Sequence, residues 1–389
     1  MASTAARREQ PLDDSPLPRE SQAPWTPVLG RPERLLVERA VNELRAARPV
    51  LLRGPETAVL VMAAEVSDSA HLDALRSSGA DLTLVLAAPR LRTLGRKSQT
   101  AQRFTVTAAS LEEIQRLTAA RAPVALPPSR PATPLDQAAV TLVKLSQQLP
   151  AALLVTPKAK ALPPDLLQVP QAAVEAYSGH CLADLRIAAR APVPLEAGTD
   201  VEFVVFRGGE GLRDQVAVLV GQQTATAEPR LLRLHSACLT GDLFGSLKCD
   251  CGQQLRDAVA AMMEAGGGIL LYLDQEGRGT GLRSKMRAYH LQSDGYDTLE
   301  SDALLGYEAD ERNYALAARM LTLLDVDKVT MMTNNPDKIQ ALTAAGIAVT
   351  GRQALIGEVN EHNENYLRTK ATSAGHLLDA EPLRRRPRF

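Results

Sequence analysis

Three of the chain's four cysteines, Cys238, Cys249 and Cys251, fall within 14 residues, in the segment HSACLTGDLFGSLKCDCG. Thiolates at this C-x10-C-x-C spacing suit zinc, which accepts sulfur and prefers a tetrahedron. Three protein ligands leave the fourth position to a water that ionises near neutral pH and becomes a nucleophile. A closed structural site needs a fourth ligand, and Cys181, His180 or His235 could supply it. Spacing alone leaves both forms of zinc site open.

Other polar clusters sit where anions bind. The apolar run 269–273 leads into DQEGRGTGL and then a predicted helix over 282–292. A glycine-rich turn at a helix N-terminus offers bare N–H groups and the positive end of the dipole to a phosphate. Arg278 adds a guanidinium fork, and Glu276 beside it suits donors on a base. Gly277, Gly279 and Gly281 alternate, which matches neither a Walker A loop nor G-x-G-x-x-G. Asp310-Glu311-Arg312 is read as the first turn of a helix continuing over 313–324. There the acids either complement the dipole or, with Arg312, face a pocket as base and cation. Thr333-Asn334-Asn335-Pro336-Asp337-Lys338 runs from a predicted strand into a helix, a second place for phosphate. Tyr289 and His290 lie on the 282–292 helix, with core or surface roles equally open. His362 and His376 have no evident partner.

These groups need a scaffold, and the patterning supplies an α/β one. In the first half, three- and four-residue apolar steps from Pro32 predict a helix. Strands are expected over 49–52, 59–63, 82–86 and 152–155, with helices over 68–79 and 135–149. The five prolines of 122–134 read as irregular, and the proline-rich 158–170 as a candidate boundary. In the second half, strands are expected over 216–220, 231–234, 269–273 and 328–332, and helices over 253–264 and 336–345. The expected class is mixed α/β with two domains, over 33–175 and 185–380. Residues 1–32 are expected to be disordered and 381–389 to form a basic tail.

Composition narrows the partners. With 44 Lys+Arg against 45 Asp+Glu, a net charge of -1 excludes broad electrostatic binding to nucleic acid or acidic membrane. Aromatics are only 3%, too few for base-stacking platforms. The N-terminus has no apolar h-region, its acids argue against a transit peptide, and no apolar run is long enough to span a membrane. A cytoplasmic protein with reduced thiols is expected, a setting in which clustered cysteines hold metals or do chemistry.

The segments HSACLTGDLFGSLKCDCGQQL, LDQEGRGTGLRSKMRAYHLQ, GYDTLE, LGYEADERNY and TNNPDK resemble GTP cyclohydrolase II, in the order of that family and over residues 185–380. The resemblance implies opening of the imidazole ring of GTP, with release of formate and pyrophosphate. The remaining product is 2,5-diamino-6-(5-phosphoribosylamino)pyrimidin-4(3H)-one, at the first step of riboflavin biosynthesis. It implies one zinc per subunit on Cys238, Cys249 and Cys251, magnesium with the triphosphate, and a homodimer. Asp310 takes the place of the general base, Arg312 that of the residue at the α-phosphate, and Tyr289 that of a tyrosine tied to formate release. An always-protonated guanidinium is a poor nucleophile, so charge stabilisation is the expected role of Arg312. Implied GTP contacts are Arg233, Leu234, His235, Ser236, Ala237, Gln254, Glu276, Gly277, Arg278, Thr298, Thr333 and Lys338. Ala237 stands where some relatives carry glutamate, which puts that contact in doubt.

The run VERAVNELRAARPVLLRGPETAVLVMAAE resembles the start of 3,4-dihydroxy-2-butanone 4-phosphate synthase. That family's acidic loop, DDEDRENEGD, corresponds here to only Arg53-Gly54-Pro55-Glu56-Thr57. Its HTEAAVDLA motif corresponds to 135–142, without the histidine. A lone Glu56 cannot build a magnesium site, so this half is expected to keep the fold without the chemistry. The competing readings are a GTP-binding regulatory or scaffold protein that has lost turnover, and a bifunctional enzyme, which the missing acids disfavour.

Overall fold

The computed structural model describes residues 30–363, apart from 122–123, 159–161, 210–213, 222–228 and 356–359. Most of the predicted disordered segment, the basic tail and His376 lie outside the described residues. In the first half come α1 (Pro32–Arg45), β1 (Val50–Arg53), β2 (Ala58–Ala63), α2 (Ser69–Ser78), β3 (Gly79–Leu86), α3 (Ala88–Thr93) and β4 (Gln102–Thr105). They are followed by α4 (Leu111–Ala119), β5 (Ser129–Pro131), α5 (Pro134–Leu145), β6 (Ala151–Pro157), β7 (Gln168–Pro170) and α6 (Gln171–Ala183). The strands form one sheet in the order β5-β4-β3-β6-β2-β1-β7.

Side-chain alternation splits this sheet's core in two. Ala152 and Leu154 of β6 join α1, α5 and α6 on one face, while Ala151, Leu153 and Val155 join α2 and α4 on the other. The 122–134 stretch is not wholly irregular. Ser129–Pro131 pairs antiparallel with β4 at the sheet edge, a place that tolerates proline. Nor does the chain leave the first sheet at 158–170: β7 returns to pair parallel with β1, and Val174, Tyr177 and Cys181 of α6 pack into the first core.

The second half holds β8 (Arg186–Pro192), β9 (Val201–Arg207), β10 (Gln215–Val220), β11 (Arg230–Ser236), α7 (Leu239–Asp242), α8 (Cys251–Glu264) and β12 (Gly268–Leu273). Then come α9 (Leu282–Ser293), α10 (Thr298–Leu304), α11 (Ala315–Leu323), β13 (Lys328–Met332), α12 (Pro336–Ala344) and β14 (Ala348–Gln353). The sheet order is β14-β13-β11-β12-β10-β9-β8. Its first four strands are mutually parallel and the rest antiparallel. In open α/β sheets, ligands bind outside the carboxyl ends of parallel strands. Here β11, β12 and β13 end at Ser236, Leu273 and Met332, and each runs directly into one of the polar clusters.

Candidate active site

Strand β11 delivers the first cluster. Leu232 and Leu234 enter one core, and Leu231 packs against the other. Alternation therefore puts Arg233 and His235 on the α8 side. Cys238 follows the strand, Cys249 lies in the loop after α7, and Cys251 opens α8. The three sulfurs lie within 4.8 Å of one another, with Cys238 and Cys249 Sγ 3.7 Å apart. Two zinc–sulfur bonds at a tetrahedral angle would set sulfurs about 3.8 Å apart. Gly241 makes room for this. A Cβ there would stand 2.9 Å from Cys249 Sγ and 3.0 Å from Cys238 Sγ.

The electrostatics fit a cation. Hydrogen bonds from Cys249 and Cys251, helped by Lys285, draw the Cys238 thiol well below its ordinary range. The same bonds to Cys238 and Cys249, with burial, push Cys251 up. Such crowded thiols cannot all ionise without a positive ion among them. His180 and Cys181 sit on α6, with Cys181 in the first core, and His235 pairs with Asp242; the cluster of potential metal ligands holds Cys238, Cys249 and Cys251 without them. The donor set is thus three thiols, consistent with an open zinc site.

The glycine loop closes the pocket. Glu276–Gly279 forms a 3-10 turn, with Gly277 and Arg278 both in the left-handed region at φ 63° and 61°. Glycine adopts that conformation freely; an arginine pays strain, the kind stored at functional sites. Arg278 Nη1 donates to Asp302 Oδ2 at 3.3 Å and to the Ala309 carbonyl at 3.2 Å. Buried Glu276 accepts from the Leu239 amide at 2.7 Å and from Lys285 Nζ at 2.7 Å, so both its oxygens brace the cysteine loop. Lys285 also donates to Cys238 Sγ at 3.0 Å. Burial works against that ammonium, yet the bonds to Glu276 and Cys238 hold its pKa above the ordinary lysine value.

Asp310, Glu311 and Arg312 do not begin a helix. They lie in a segment without regular secondary structure, and α11 starts only at Ala315. The Asp310 carboxylate folds forward onto Arg312 Nε at 2.7 Å and Nη2 at 2.5 Å rather than capping a helix. Burial acts to raise Asp310, but the Arg312 fork outweighs it and holds the carboxyl below its usual range. Arg312 Nη1 reaches toward Ser236 Oγ at 3.5 Å.

One pocket brings together Ser236, Ala237, the three cysteines, Glu276, Gly277, Arg278, Tyr289, Thr298 and Arg312. Asp310 touches it through Arg312. The remaining expected contacts lie deeper, along β11 and β13. Arg233 donates to the Met332 carbonyl at 2.9 Å and to Gln254 Oε1 at 2.5 Å, and Lys338 Nζ donates to the Leu234 carbonyl at 2.8 Å. Thr333 Oγ1 accepts from the Asn335 amide at 3.1 Å. The Leu234 side chain belongs to the hydrophobic core, so only its backbone can meet a ligand. His235 turns to Asp242, 3.1 Å away, and stacks on Tyr272.

Sequence reasoning passed over Lys285, Asp242 and Asp302. Lys285 was within reach, since it lies one helical turn before Tyr289 and shares its face. Asp242 accepts from the Cys238 amide at 2.9 Å and from Tyr272 Oη at 2.9 Å, contacts that no spacing rule foreshadows.

Three clustered thiols, a glycine-rich turn carrying Arg278 and an Asp–Arg pair at the carboxyl edge of a parallel sheet are the parts of a metal-dependent, nucleotide-binding α/β enzyme. The family model for GTP cyclohydrolase II matches residues 186–354. The GTP cyclohydrolase-2 of Xylella fastidiosa (strain 9a5c) is 41% identical over 358 residues, covering 89% of this chain and 88% of that protein. The GTP cyclohydrolase-2 of Cronobacter sakazakii is 50% identical over 194 residues, 50% of this chain and 98% of its own. The chain therefore belongs to the GTP cyclohydrolase II family. A two-domain 3,4-dihydroxy-2-butanone 4-phosphate synthase from A. baumannii superposes with a TM-score of 0.33 at 16% identity, over 83% of this chain and 99% of that one. A likeness of that size decides nothing about the chemistry of the first half.

Proposed function

We propose that this chain opens the imidazole ring of GTP, releasing formate and pyrophosphate and leaving the 5-phosphoribosylamino-pyrimidinone that begins riboflavin synthesis. The carrying observation is the meeting of three cysteine sulfurs, the Glu276–Arg278 turn and Arg312 in one pocket. Cys238, Cys249 and Cys251 hold zinc. When bound there, zinc supplies a Lewis acid and a water that ionises near neutral pH. Arg312 meets the α-phosphate and offsets its charge. A phosphate that draws the guanidinium from Asp310 leaves that carboxylate a stronger base, so phosphate binding readies Asp310 Oδ2 to take up a proton. Tyr289, its phenol pushed up by burial, stays protonated and can donate as formate departs.

Arg233 to Ala237, Gln254, Glu276 to Arg278, Thr298, Thr333 and Lys338 are proposed to seat GTP, with magnesium on the triphosphate. We also propose a cytoplasmic homodimer organised as two domains, the second over 185–380 and the first running past the expected 175 to the end of α6, whose Tyr177 and Cys181 pack into its core. None of the described helices is long and apolar enough to cross a membrane. The first half is read as a synthase-like domain without that activity, because Glu56 is the lone acid of the loop between β1 and β2 and 135–142 carries no histidine. Incubating the protein with GTP, zinc and magnesium should yield formate and pyrophosphate in equal amounts. Metal-loaded protein that yields no formate would refute the proposal.

A further inference from the structure

The first half takes hold of the segment that carries Asp310 and Arg312. Arg90, on α3, donates to the Leu304 carbonyl at 3.2 Å, where α10 ends and that segment begins. Three residues on, Tyr307 Oη donates to the Gln148 carbonyl at 2.9 Å. Beyond the catalytic pair, Asn313 Nδ2 donates to Ser178 Oγ at 3.1 Å. Between these anchors, Lys144 Nζ of α5 meets Glu311 Oε2 at 2.5 Å.

Glu311 is the residue between Asp310 and Arg312, so its position sets theirs. Its other oxygen accepts the Glu308 amide at 3.0 Å, and its own amide donates to the Arg278 carbonyl at 3.2 Å. Lys144 thus ties the first half to a residue that joins the Asp–Arg pair to the glycine turn. The seam is also apolar: Leu149 is buried in a cluster with Ala288, Leu291, Leu304, Leu305 and Tyr307. On α9, which carries Lys285 and Tyr289, Arg283 and Arg287 both pair with Glu65 at 3.2 and 2.8 Å.

We propose that the first half positions the cyclohydrolase site, with Lys144 the positioning residue that fixes Asp310 and Arg312 through Glu311. This rests on the catalytic reading of Asp310 and Arg312. A part-exposed ion pair adds little to stability, so a role in geometry and a role in folding separate cleanly. Misplacing reacting groups by about 1 Å costs up to about a hundredfold in rate.

The test compares Lys144→Met, Lys144→Arg and Asp310→Asn in the full-length, zinc-loaded enzyme. Lys144→Met should lower kcat about tenfold, with KM for GTP, zinc content and Tm nearly unchanged, and Lys144→Arg should restore kcat. Should Lys144→Met not fold, Glu311→Gln keeps the Glu308 bond, removes the charge attraction and should show the same fall in kcat. Arg53→Met, a comparable charge loss on the exposed end of β1, should leave kcat alone. Wild-type kcat in Lys144→Met, beside an inactive Asp310→Asn, overturns the positioning role alone. Full turnover by Asp310→Asn overturns the reading beneath it, and the positioning role with it.

Discussion

Asp302 shows how the pocket loads a single side chain. Burial, only partly offset by Arg278, raises its carboxyl from an ordinary 3.8 to about 7. A raised folded-state pKa contributes stability that is whole below the unfolded value and is lost as pH rises through the folded one. Asp302→Asn removes that loss. The Tm difference between variant and wild type should therefore move in the variant's favour from about pH 5 to about pH 8. A constant difference across that window would show that Asp302 is not so strained. At this scale the sequence was most informative where chemistry is local: the C-x10-C-x-C run already names three sulfurs that meet within 4.8 Å. It was silent where partners are distant in the chain. Glu276 reads as a partner for donors on a base until the fold turns it to the Leu239 amide, and Lys285, which drew no reading, donates to Cys238.

Elements follow their terminal signals closely. Capping boxes join Ser110 to Glu113, Thr133 to Asp136 and Asp297 to Glu300, and each starts a helix on the next residue. The Ser110 box marks α4, a helix that the apolar periodicity of its short segment had not revealed. Asp310-Glu311-Arg312 misled for the opposite reason. Acids before an apolar run resemble a first helical turn, but Asp310 turns its carboxylate to Arg312 and Glu311 to Lys144, and the helix starts only at Ala315. The cap at α10 carries a consequence for the site, because Thr298 and Asp302 ride on that helix. Asp297 accepts the Glu300 amide at 2.8 Å, and Asp297→Ala should cost about 1 kcal/mol in urea denaturation. Its KM for GTP should rise with the loosened helix. An unchanged midpoint would mean that the cap adds nothing to stability.

At the scale of the whole molecule, two halves, each built on a seven-stranded sheet, meet through helices and loops along a seam that runs beside the pocket. Length foretold more than one domain, and the apolar runs of β1, β2, β3 and β6 and of β10 to β13 foretold four strands of each seven-stranded sheet. The seam was not legible, because Glu65–Arg287, Lys144–Glu311 and Arg90–Leu304 join residues more than 160 positions apart through ordinary charges and carbonyls. Beside the seam lies the pocket in which we propose that zinc, held by Cys238, Cys249 and Cys251, opens the guanine ring. Cys249→Ser tests this most directly, with bound zinc and formate release from GTP measured on the same preparation. The variant should lose zinc and formate release together. A Cys249→Ser protein that keeps both would contradict the account.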